Sequence, residues 1–126
     1  KLGGWDKLKG EDEVAALEKQ GTYMDLIRYS AGSKQVEDGS IMQDRTMHGG
    51  QGATVESTFV GGVRTVIFKR KLASTSPGDV TLDKSKTYNL GFAIHDDFTK
   101  SRYHHVSLGY KLGFDDENAE VNAVKQ

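Results

Sequence analysis

The chain has 126 residues of which 36% are hydrophobic, enough to bury one modest core, so a single domain over 1–126 is expected. Its 17 basic residues stand against 18 acidic ones, and a formal charge of -1 offers no broad cationic field for nucleic acid. No apolar run approaches the ~20 residues that span a bilayer, residues 1–9 lack the apolar core of a signal peptide, and the absence of cysteine excludes disulfides, thiolate metal sites and a cysteine nucleophile.

Residues 1–10 are glycine-rich and charged and read as a leading segment, with Trp5 the lone tryptophan. From Glu11 the pattern turns helical: Glu11, Asp12 and Glu13 suit a positive helix N-terminus, Val14 and Leu17 lie three apart, and Gly21 can cap an end near Gln20. Thr22 to Tyr29 is β-branched and aromatic and is expected to be a strand. Ser30 to Gly52 carries five glycines without a sustained period, which predicts a long loop with at most one short strand around Ser40 to Arg45. Long loops in compact domains tend to be functional, so Met42, Met47 and His48 become candidates.

Ala53 to Val60 and Val63 to Leu72 are β-rich runs joined by Gly61-Gly62, the signature of a tight hairpin. A turn cluster around Pro77 follows, then two further strands, Lys86 to His95 and Tyr103 to Lys111, flanking a polar loop from Asp96 to Arg102. The acidic tail 115–126 reads as peripheral. Short strands with turn signals and one helix predict an all-β fold: an antiparallel, immunoglobulin-like β-sandwich with the short N-terminal helix packed at one end. Val55, Phe59, Val66, Phe68, Phe92, Ile94, Val106 and Leu108 are its expected core.

Three of the four histidines fall at the ends of the last two strands. Alternation puts His104, Val106, Leu108 and Tyr110 on one face, the more apolar one, and His105 on the other. An imidazole at the end of a core-facing strand can ligate haem iron, since neutral histidine offers a lone pair and apolar walls exclude water. The plainer alternative is a set of hydrogen-bonded rim histidines. Zinc held by His95, Asp96, Asp97, His104 and His105 is chemically conceivable, yet adjacent strand residues point to opposite faces and the spacing matches no ligand motif. No serine occupies a nucleophile elbow, no glycine group carries a phosphate-loop lysine, and Asp96-Asp97 reads as a solvated turn, so hydrolysis and nucleotide binding find no support.

Three stretches carry a family resemblance: Gly62 to Leu72 ending in Arg70-Lys71-Leu72, the turn Asp79-Val80, and Lys86 to Asp97 with Phe92-Ala93-Ile94-His95-Asp96-Asp97. Together they resemble the haem-binding domain of the ethylbenzene dehydrogenase gamma-subunit type, grouped with cytochrome c-552 and dimethylsulfide dehydrogenase haem domains, over roughly Gly21 to Phe114. The resemblance implies a β-sandwich holding one non-covalent b-type haem. It also implies a non-enzymatic electron relay in the periplasm whose redox partner is a multihaem c-type cytochrome or a molybdenum oxidoreductase.

The family's gamma subunits use methionine and lysine as axial ligands, whereas the position expected for the lysine reads Ser30 here, so a changed ligand set, or loss of haem, is expected. His104 is the proposed ligand on one side, with His105 next, and Met47 on the other, with Met42, Met24 and His48 as substitutes. Arg102 and Arg45 are the candidate partners of the propionates, because a guanidinium pairs with carboxylate through a two-pronged fork. The rival function is a haem-free carbohydrate-binding or protein-interaction sandwich.

Overall fold

A computed structural model describes residues 9–42, 44–50, 52–76, 78–95 and 104–125, with the backbone alone of His104. Its residues fall into two compact units, Lys1–Thr81 and Leu82–Gln126. The fold is all-β, as expected: ten strands and one short helix among the described residues. No helix among them is long and apolar enough to cross a membrane.

In the first unit, α1 (Glu11–Lys19) begins without a side-chain cap at Gly10, and the acidic first turn answers the positive helix end instead. Its C-terminus closes as the glycine predicted. Gly21 takes φ 75°, its N–H bonds Glu18 O at 2.9 Å, and the N–H of Thr22 reaches Leu17 O at 2.9 Å, so two carbonyls freed by the helix end are satisfied.

The strands β1 (Met24–Ser30), β2 (Gln35–Ile41) and β3 (Arg45–Gly49) form an antiparallel meander. The long loop expected over 30–52 is therefore mostly sheet. Two of the glycines that suggested a loop serve close approach instead: a side chain at Gly39 would meet Thr46 O at 2.5 Å, and one at Gly50 would meet Val36 O at 2.5 Å. The ladder breaks between Asp38 and Gly39, where β3 carries one extra residue, His48, as a bulge. Arg28 bonds Glu37 directly across the β1–β2 ladder, through Nε at 2.8 Å and Nη2 at 2.5 Å.

The hairpin of β4 (Ala53–Val60) and β5 (Val63–Arg70) turns through Gly61 and Gly62 at φ 60° and 81°, the two positive angles that the tight turn requires. Its aromatic residues depart from expectation. Val55 and Val66 are half-buried, but Phe59 is 61% exposed and Phe68 48%. The guanidinium of Arg64 lies 5.0 Å from the Phe59 ring centroid, the partner that this ring does have.

In the second unit each expected long strand is two short ones: β6 (Tyr88–Leu90) and β7 (Ala93–His95), then β8 (His104–Val106) and β9 (Tyr110–Phe114). β6 pairs with β9 and β7 with β8. At the interruption Ser107 N–H bonds Phe92 O at 2.8 Å and Ser107 Oγ accepts the Phe92 N–H at 2.8 Å. The tail expected to be peripheral supplies β10 (Val121–Ala123), paired in parallel with β9. The intervening turn packs against Gly113, where a side chain would meet Ala119 Cβ at 2.8 Å.

Of the core expected in this unit, Phe92, Ile94, Val106 and Leu108 are exposed, and Ala53 in the first unit is the one buried hydrophobic among the described residues. Alternation tells which side chains share a face. It does not tell whether that face is covered.

Candidate functional site

β3 positions three of the predicted residues. Arg45 opens it and is exposed, Met47 is half-buried with its thioether over Gly39, and His48 is the bulged residue. His48 Nε2 lies 3.2 Å from Ser40 Oγ, and its ring packs against Gly78, where a side chain would meet that nitrogen at 2.8 Å. Glu18, Tyr23, Ser40, Thr46, His48 and Gly78 enclose a cleft of about 300 Å³. That is the small end of the range for ligand pockets, ~300–1,000 Å³. Met42 sits in the turn after β2, its N–H on Asp44 O at 3.3 Å, and Met24 opens β1, exposed.

β8 positions the other histidines. His104 stands opposite His95 and His105 opposite Ile94 in the β7–β8 ladder. Directly opposed residues share a face, so His95 and His104 lie on the same side as Ala93 and Val106. The face grouping expected from sequence is corrected in two respects: β8 ends at Val106, leaving Leu108 outside any strand, and Val106 and Leu108 are 61% and 84% exposed rather than core. Arg102 lies outside the described residues, as do Trp5, Asp96 and Asp97, and with them the zinc alternative.

The most closely built polar group was not foreseen. Asp25 on β1, Asp38 on β2 at the register shift opposite the β3 bulge and Asp79 in the turn after β5 bring carboxylate oxygens within 4.8 Å of one another. Arg70, at the end of β5, pairs with Asp25 Oδ2, donates through Nη2 to Val80 O at 2.8 Å, and has that nitrogen 4.0 Å from Asp79 Oδ2. The N–H of Val80 bonds Asp25 Oδ2 at 2.9 Å, and the Tyr23 hydroxyl bonds Asp79 O at 3.1 Å.

Burial pushes the Asp38 carboxyl above the ordinary carboxylate range, and the neighbouring Asp79 and Asp25 carboxyls push it the same way. Two signals were present in the chain: a charge inside the apolar run Met24-Asp25-Leu26-Ile27, and the recurrence of Arg70 and Asp79-Val80 in the motif stretches. The structure joins those two stretches by a hydrogen bond.

No protein-family model matches the chain. No solved structure matches it. It is 45% identical over 107 residues to a cytochrome c-552 of Stutzerimonas stutzeri, which covers 84% of this chain and 36% of that protein. It is 43% identical over 75 residues to a cytochrome c-551 of Rhodocyclus tenuis, 60% of this chain and 29% of that protein. The chain thus spans about a third of the length of the curated relatives it matches. Over most of its own length, then, this chain is similar to a cytochrome, and the two relatives together support kinship with cytochromes.

Proposed function

We propose that the chain is one electron-transfer domain holding a single b-type haem without covalent bonds, within a periplasmic respiratory cytochrome or oxidoreductase of the ethylbenzene dehydrogenase gamma-subunit type. The observation that carries this reading is the 45% identity to a cytochrome over 107 residues. Those relatives bear c-type names, but covalent attachment needs cysteine and this chain has none, so haem held here is held by coordination and packing. A bound haem supplies reversible one-electron chemistry at its iron.

The residues suit such a group in kind. Imidazoles at His95, His104 and His105 and the thioether at Met47 are haem donors, and Phe92, Ile94, Val106 and Leu108 offer exposed apolar surface in the histidine-bearing unit. His104 with Met47, from another strand, is the pair we propose. His105 and His48 are the substitutes, and Arg102 and Arg45 the partners for the propionates. The redox partner is a multihaem c-type cytochrome or a molybdenum oxidoreductase.

Hemin titrated into the purified chain gives a sharp Soret band saturating at one equivalent. A featureless spectrum rejects the proposal and favours the haem-free interaction module. In the reduced, hemin-loaded protein, His104→Ala and Met47→Ala each convert a six-coordinate low-spin spectrum to a five-coordinate one. Spectra identical to the parent in both variants reject the ligand pair.

A further inference from the structure

Asp38 is 3% exposed and the Asp79 side chain 1%, while that of Asp25 is 12%. Three oxygens of this group, Asp38 Oδ1 and both of Asp79, are buried with no hydrogen-bond partner among the described residues. Buried polar atoms are nearly always paired, because an unmade bond leaves the full desolvation cost standing. Arg70 answers one of the three charges, through Asp25, and stands 4.0 Å from Asp79. Three carboxylates and one guanidinium sum to a formal charge of -2 in a largely buried place, with only Asp25 and Arg70 partly exposed.

The surroundings hold the oxygens in place. Asp38 sits on β2 where the ladder shifts register, opposite the β3 bulge at His48. Gly52 brings its backbone against the cluster, and a side chain there would run into the Asp38 carboxylate and meet Asp79 Oδ2 at 2.9 Å.

We infer that Asp25, Asp38 and Asp79 form a binding site for a divalent cation, specifically calcium. The donors are all oxygen, which selects hard cations over zinc, copper or iron. A charge of +2 neutralises the excess. Calcium coordinates at ~2.3–2.6 Å with a flexible geometry, so oxygens lying within 4.8 Å of one another fit around one ion, with water completing the shell. Magnesium demands a near-ideal octahedron at ~2.0–2.1 Å, a poorer match to three carboxylates of which one is already tied to arginine. The competing arrangement is a proton shared between Asp38 and Asp79, which neutralises one charge and leaves the other. This site is independent of haem and is tested without it.

The chain is stripped with EDTA, freed of chelator and titrated with CaCl₂ by calorimetry and thermal denaturation. One equivalent saturates it and Tm rises by about 4 °C or more. Terbium bound in place of calcium luminesces on excitation of tyrosine, Tyr23 being bonded to the Asp79 carbonyl, and calcium displaces it. Asp38→Asn and Asp79→Asn each lower calcium affinity by about tenfold or more, because affinity follows the count of charged ligands, whereas Asp83→Asn on an exposed turn leaves it unchanged. Asp38→Asn removes a buried charge and so folds without metal. Absence of heat and of any Tm change up to about 10 mM CaCl₂, beyond the ~10⁻³ M of weak calcium modules, overturns the site. Parent-like affinity in Asp38→Asn also overturns it, and magnesium binding as tightly as calcium overturns the choice of ion.

Discussion

The acidic group of the first unit and the histidine strands of the second break the ordinary rule of burial in opposite directions. Around Asp25, Asp38 and Asp79, polar atoms are buried without partners. Around β7 and β8, apolar side chains are exposed: Ile94 at 70% and Val106 at 61%. A lone exposed apolar residue teaches little, but a buried polar group is informative, and here the exposed side chains lie on both faces of the hairpin, Val106 opposite Ala93 and Ile94 opposite His105. The first region carries more negative charge than Arg70 answers and the second leaves apolar side chains exposed, so the two would suit ligands of different chemistry.

The sharpest way to break the contrast is to remove the compensation that the first region already has. Arg70→Met leaves Asp25 and Asp79 without their guanidinium, and unfolding free energy by urea titration falls by about 3–5 kcal/mol, the loss typical of an orphaned buried charge. Calcium reduces that loss. An unchanged midpoint in EDTA shows that the group is solvated after all.

Close packing gives the next effect. Gly52→Ala drives a methyl into the Asp38 carboxylate and costs about 1–3 kcal/mol. Gly91→Ala, whose added carbon finds only Ser107 Oγ at 3.8 Å, changes stability by less than about 0.5 kcal/mol. Equal effects at the two glycines erase the distinction between a tightly built site and an open one.

In the second region the expected signature is reversed, with little change in stability and a large change in binding. Ile94→Thr with Val106→Thr shifts the urea midpoint of the hemin-free chain by less than about 0.5 kcal/mol per residue, because these side chains are exposed. Hemin affinity falls by about tenfold, since roughly 1.4 kcal/mol of apolar contact is lost. A large loss of stability with parent-like hemin affinity assigns the two residues to a core instead.

The smallest effect is expected at Asp83. Its Oδ1 accepts the Ser85 N–H at 2.9 Å and the Ser85 hydroxyl at 2.7 Å, and the backbone bond leads in holding this carboxyl below its ordinary value of 3.8. A folded value below the unfolded one stabilises the native state above the unfolded value, and that contribution is lost as pH falls through the folded value. Asp83→Asn therefore lowers the urea midpoint slightly at neutral pH, and the gap from the parent closes as pH falls through the folded value. A gap that persists in acid shows that the turn gains nothing from the charge.

Residue by residue, the sequence alone determined whatever rests on neighbours along the chain. The helix ends at Gly21 because only a residue free of a Cβ takes its positive φ readily, and the β4–β5 hairpin turns at Gly61-Gly62 for the same reason. The strand character of the last third was legible in its β-branched and aromatic runs, although the break at Gly91-Phe92 was not, because the ladder there changes partner rather than propensity. The histidines stood out by chemistry. Their faces depended on where β8 ended.

Tertiary structure decided the rest. The glycines of 39–52 carry the same local signal in a loop as in a crowded sheet, and only the atoms facing Gly39, Gly50 and Gly52 show which it is. Asp25, Asp38 and Asp79 are 13 and 41 residues apart along the chain. Each reads as a solvated charge until β1, β2 and the turn after β5 bring their carboxylates together, because burial and electrostatic coupling depend on distance in space, which no local pattern encodes.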